Sequence, residues 1–95
     1  MARSKKKEPR KIASLGHFNH DEAFAALSRR IKQLRKEKGF KSSETFALDI
    51  EISRAGMARY EAGTFDDMRV GTLFKIIDGL EISIPEFFGN GFEQV

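Results

Sequence analysis

The sequence predicts an all-α domain of five helices, and three observations carry that prediction. Apolar residues recur at helical spacing in successive stretches, while no run alternates convincingly with the period of two that a half-buried strand needs. Ser or Asn stands immediately before four of those stretches, where helix N-caps belong. The 95 residues contain no cysteine, so neither disulfides nor a thiolate zinc site offers an alternative framework.

Residues 1–18 read as a basic, flexible arm: six Lys/Arg, one Pro and few core formers. Such an arm is either a solubilising tail or a segment that follows phosphates once a polyanion is bound. Phe18 ends it and is expected to pack on the first helix. That helix should run from Asp21 to Lys38, capped by Asn19 with Glu22 three residues on. Phe24, Leu27, Ile31 and Leu34 form its apolar stripe, and Arg29, Arg30, Lys32, Lys36 and Lys38 are expected on its other faces. Gly39 supplies the left-handed position that ends it.

The second helix is short, Ser43 to Ile50, capped by Ser42 with Phe46, Ala47 and Ile50 inward. The third is capped by Ser53, carries Met57 and Tyr60 inward and ends at Gly63; Ile52 and Met57 have the spacing of a hydrophobic staple. So short a connection is the spacing of a helix-turn-helix. After an acidic loop, the fourth helix spans Val70 to Leu80 with Val70, Leu73, Phe74, Ile77 and Leu80 inward. The fifth opens with Ser83-Ile84-Pro85-Glu86, a cap followed by Pro in the first turn. Ile82 and Phe87 repeat the staple spacing, and Phe88 should complete the apolar end. The domain boundaries that follow are 1–18 for the arm, 19–89 for the helical domain and 90–95 for a C-terminal tail.

Composition removes several function classes. His17 and His20 are the only imidazoles, so a His-based catalytic or metal centre is not expected, and no metal or small-molecule cofactor is called for. Asp66 and Asp67 are adjacent with no base, nucleophile or phosphate loop around them, so the chain does not read as an enzyme. No apolar run approaches the roughly 18 residues of a membrane span; no membrane partner is expected, and the location expected is cytoplasmic. Charge is strongly partitioned. Residues 1–41 hold thirteen Lys/Arg against four Asp/Glu, and residues 42–95 hold four against ten. Such asymmetry points to a polyanionic partner for one face, nucleic acid first.

Four pieces carry a more specific signal: I-K-Q-L-R-K-E-K-G from Ile31 to Gly39, F-A-L-D-I from Phe46 to Ile50, I-S-R-A-G-M-A-R-Y-E-A-G from Ile52 to Gly63, and L-E-I-S-I-P-E-F-F from Leu80 to Phe88. In that order they resemble the lambda repressor-like family of DNA-binding domains, also called the Cro/CI or xenobiotic-response-element type. The resemblance implies a five-helix domain whose helix-turn-helix binds double-stranded DNA and regulates transcription. Its reader helix would be Ser53–Ala62, seated in a major groove about 12 Å wide.

The resemblance places Arg54, Ala55, Gly56 and Arg59 where bases are read. Arg54 and Arg59 can each donate two bonds to guanine O6 and N7, and Ala55 can touch a thymine methyl. A solvent-facing helix former is the competing account of either arginine. It is weaker for Arg54, because a cation in the first turn opposes the helix dipole. Gly56 either permits close approach to DNA or avoids a clash with the second helix. Phosphate contacts are expected from Lys41, Ser43, Ser53 and Thr64, with ordinary capping as the alternative for Ser43. Arg35 and Glu61 match positions that commonly form a buried, architectural ion pair.

Three features depart from the family pattern. Glu51 stands where the turn usually has Gly, so a non-Gly residue is expected at positive φ. The connection G-F-K-S-S-E is one residue longer than usual. The loop T-F-D-D-M-R is longer and acidic, so it is expected to point away from DNA, with Arg69 or the arm replacing its contacts. Two other functions fit the composition. One is an antitoxin-like module that neutralises a partner protein, using the acidic second half and Phe87, Phe88 and Phe92, and autoregulates through DNA binding. The other is coating of nucleic acid by the arm alone. A homodimer reading a two-fold operator is compatible with the first function; Phe92 and the exposed end of the fifth helix either form its seam or close the core.

Overall fold

The computed structural model describes residues 16–65 and 67–95, and among them it contains five α-helices and no strand. These are α1 (His20–Glu37), α2 (Ser43–Asp49), α3 (Arg54–Ala62), α4 (Val70–Gly79) and α5 (Ile84–Phe88). Most of the expected basic arm, residues 1–15, lies outside the described residues, as does Asp66 of the acidic loop.

The helix starts are set by local bonds. Asn19 Oδ1 accepts from the Glu22 amide at 3.0 Å, Ser53 Oγ from the Gly56 amide at 3.0 Å and Ser83 Oγ from the Glu86 amide at 3.1 Å. At α2 the bond is reciprocal: Ser42 Oγ accepts from the Thr45 amide while the Thr45 hydroxyl oxygen accepts from the Ser42 amide. Each bond satisfies an amide that the first helical turn leaves without a partner. Gly63 closes α3 in the left-handed conformation, at φ 77. In the α2–α3 turn Glu51 adopts φ 59, and Lys75 Nζ donates to its carbonyl at 3.4 Å. A second glutamate, Glu81, takes φ 61 between α4 and α5, where the sequence pattern offered no warning.

α1, α2 and α3 pack on one another around Ile31, Leu34, Phe46, Ala47 and Met57. Ile76 and Ile77 of α4, Leu80 at its C-cap and Phe87 of α5 close the core. The loop after α3 is anchored by Phe65, which is buried with its ring edge-on to Phe24 and Tyr60 at centroid distances of 5.2 and 5.1 Å. Phe92 packs on the same core, its ring 6.0 Å from Phe87 and 5.1 Å from Phe88, so the segment 90–95 is held against the domain.

Several sequence expectations need correction. In α4, Leu73, Ile77 and Leu80 do pack inward, but Val70 and Phe74 are 64% and 51% exposed, and Ile76 is fully buried in their place. The run V-G-T-L-F-K-I-I contains two overlapping apolar stripes, and the rotation is decided by contact with α2. A Cβ on Gly79 would come within 2.2 Å of Ile50 Cγ2 and 3.3 Å of the Phe46 ring, so the bare face of Gly79 is pressed against that helix. Phe88 and Phe18 are likewise exposed, and Phe18 has its ring 5.0 Å from His20.

Arg30 is the largest departure: expected on an outer face, it is buried. Its Nε donates to the Phe87 carbonyl at 2.8 Å and its Nη2 to the Glu86 carbonyl at 2.9 Å. Both carbonyls lie at the end of α5, where that of Glu86 also accepts the Gly89 amide at 3.4 Å, and a cation suits that negative end of the helix.

Candidate nucleic-acid interface

The turn between α2 and α3 is built from bonds that leave one orientation for α3. The Ile52 amide donates to the Ala47 carbonyl at 3.0 Å, and the Met57 amide to the Ser53 carbonyl at 3.0 Å. Ile52 and Met57 both pack on the core, which pins the entry to α3 from its inner side.

The far end of α3 is fixed by an ion pair. Arg35 Nε donates to Glu61 Oε2 at 2.6 Å and Nη2 to Glu61 Oε1 at 2.9 Å, with both side chains more than nine-tenths buried. Arg35 Nη1 also donates to the Phe40 carbonyl at 2.8 Å, tying the α1–α2 connection to the same point. This bidentate geometry meets the condition under which a buried pair holds together: no donor edge or oxygen is stranded.

With Met57 inward and Tyr60 half-buried, the outer side of α3 carries Arg54, Ala55, Ala58, Arg59 and Ala62, all exposed. Two long cations flank a strip of methyl groups, so the helix axis can approach a surface closely while the guanidiniums reach beyond it. Ala58 and Ala62 complete that strip and were not singled out from the sequence; their spacing from Ala55, three and seven residues, was the available signal.

Gly56 requires a correction. It is buried, and a Cβ there would meet Ser53 Oγ at 2.8 Å. The crowding therefore comes from the cap of its own helix and not from α2.

Of the expected phosphate contacts, Lys41, Ser53 and Thr64 are exposed and Ser43 is half-buried. The Ser53 hydroxyl oxygen is already engaged as the α3 cap, and the Thr64 amide donates to the Arg59 carbonyl at 3.2 Å. Beside them runs a groove of about 510 Å³ between the starts of α3 and α4, lined by Ser53, Arg59, Arg69, Thr72 and Lys75 among others. Three cations and one anion, Glu51, surround this open groove, so its lining is net positive. Lys75 was overlooked in the sequence because it sits in an otherwise apolar helix. In the acidic loop, Phe65 is buried and Met68 is half-buried, while Asp67 is exposed.

A helix-turn-helix with an outward arginine–alanine face and an adjoining cationic groove defines a DNA-binding module. Its nine-residue second helix is of the size that enters a major groove. The chain belongs to the Cro/C1-type HTH DNA-binding domain family, whose model matches residues 30–89. It is accordingly a DNA-binding transcriptional regulator. Comparison with curated proteins and with solved structures gave no match. Among the described residues no helix is long and apolar enough to cross a membrane, and no group of three His, Cys, Asp or Glu is placed to hold a metal ion.

Proposed function

We propose that this regulator reads double-stranded DNA sequence-specifically, with the segment Ser53–Ala62 in the major groove. One observation carries the reading: Arg54 and Arg59 are exposed on the outer side of α3, whereas Arg35 on the facing helix is buried in an ion pair. Arg54, Ala55 and Arg59 meet base edges. Lys41, Ser43, Ser53 and Thr64 contact phosphates, joined by Arg69 and Lys75 along the groove. In this arrangement residues 19–89 form the binding domain.

Selection from random duplexes at physiological salt tests the proposal. Enrichment of a motif containing guanine supports it, and the symmetry of that motif reports whether one copy or two are bound. Recovery of unenriched DNA, with binding that follows salt alone, would contradict it.

A second reading, the antitoxin-like module that binds a partner protein, loses Phe87 and Phe92 to the core and draws instead on Phe88 with Val70, Phe74 and Ile84, four exposed large apolar side chains on α4 and α5. It predicts partner binding that survives neutralisation of both Arg54 and Arg59.

A further inference from the structure

Arg54 is about two-thirds exposed, and its Nη1 lies 4.0 Å from Glu44 Oε2, across the helix-turn-helix from α3 to α2. We infer that Glu44 is a positioning residue that determines specificity, holding the Arg54 guanidinium so that it reads guanine rather than any nearby phosphate. The inference rests on the base-reading function proposed above and deepens it.

The pair contributes little to the fold. Both side chains are about two-thirds exposed, and ion pairs in water offset most of their attraction through lost side-chain freedom. An acid in the first turn of α2 suits that helix dipole, which accounts for the presence of Glu44 but not for its reach to Arg54. Arg54 in turn is a cation at the positive end of α3, where a counter-charge is the simplest way to keep it.

The geometry has a consequence for recognition. A guanidinium has five N–H donors in a planar fork. With Nη1 turned toward a carboxylate, the Nε–Nη2 edge is left, and its two parallel donors match the O6 and N7 acceptors of guanine. Fixing one edge also removes rotamer freedom before DNA arrives, so less is lost on binding. The carboxylate acts on the alternative as well. A phosphate drawn to Arg54 must come close to Glu44, and like charges repel. Glu44 therefore weakens backbone binding while sharpening base reading, the pattern of discrimination achieved by penalising the wrong contact.

The test compares duplex selection and salt-dependent affinity for the full chain, E44Q, E44D, R54A and the E44Q/R54A double variant. E44Q should bind unselected DNA more tightly than the wild type, yet its preference for guanine at the Arg54 position should fall roughly fivefold, the lower end of what one bidentate contact supplies. E44D, which keeps the charge on a shorter stem, should retain more of that preference. On the R54A background, E44Q should change the selected motif no further. An unchanged motif with E44Q, or equal weakening on all duplexes, overturns the inference while leaving base reading intact. Absence of any motif with the wild type overturns base reading, and this inference with it.

Discussion

On α1, Arg30 and Arg35 stand five residues apart and both are buried; on α3, Arg54 and Arg59 stand at the same spacing and both are exposed. The difference lies in what the rest of the chain brings to each guanidinium. Arg30 meets two backbone carbonyls of α5, and Arg35 meets a carboxylate and a third carbonyl, so burial strands none of the charge. Arg54 and Arg59 keep donor edges turned to water. The buried pair orients helices relative to one another, and the exposed pair is what that orientation presents. Arginine residues thus serve as internal brackets in one region and form an exposed cationic face in the other.

This contrast can be broken most forcefully at Arg35. Arg35→Ala leaves the Glu61 carboxylate buried without its partner, and unfolding by denaturant should show a loss of about 3–5 kcal/mol. Replacing both members with apolar residues (R35M/E61L) should cost much less. If the double variant proved as unstable as the single one, the pair would have a role beyond compensating its own burial.

Arg30→Ala comes next, at about 1–3 kcal/mol, because it removes the side-chain donor to the Phe87 carbonyl and one of the two donors to the Glu86 carbonyl. Amide exchange within residues 84–88 should accelerate before that of α1; unaltered protection there would show that α5 does not depend on the clasp. Arg54→Ala and Arg59→Ala should each leave stability within about 0.5 kcal/mol of the wild type. Each should remove about 1–3 kcal/mol of discrimination between DNA sites, read by competition between selected and mutated duplexes. The smallest effect belongs to Lys41→Ala. It should weaken all duplexes alike and lower the magnitude of the salt slope by about 0.9, the signature of one lost phosphate contact.

How far these roles were legible in the sequence depends on how distant the partners are along the chain. Caps at Asn19, Ser42, Ser53 and Ser83 could be read directly, since each hydroxyl or amide oxygen bonds an amide three residues on. The positive φ of Glu51 was legible from the place the turn occupies in the family pattern. The burial of Arg30 was legible only in part: its place three residues after Leu27 and four before Leu34 sets it at the edge of the apolar stripe, but its acceptors lie 56 and 57 residues away. The rotation of α4 was hidden for a related reason, because Gly79 acts by having nothing to collide with Ile50 and Phe46. Phe65 sat in a polar loop, where an isolated aromatic could have signalled an anchor. On α3, the outward arginines and Ala55 were found from position within the motif, while the crowding at Gly56 was not, because it comes from the cap of its own helix.

Glu51 carries one more consequence. It holds a left-handed backbone that glycine would adopt with less strain, and its residue lines the cationic groove beside α3. Exchanging it for glycine would relax the hinge between the two helices and take an anion out of the path of the DNA backbone. Thermal robustness and avidity for polyanions should therefore climb in the same step, opposite to the antagonism usually met where folding and binding share a residue. On this expectation a glutamate at this corner restrains both, and melting temperature and salt-dependent affinity of E51G measured side by side would check it.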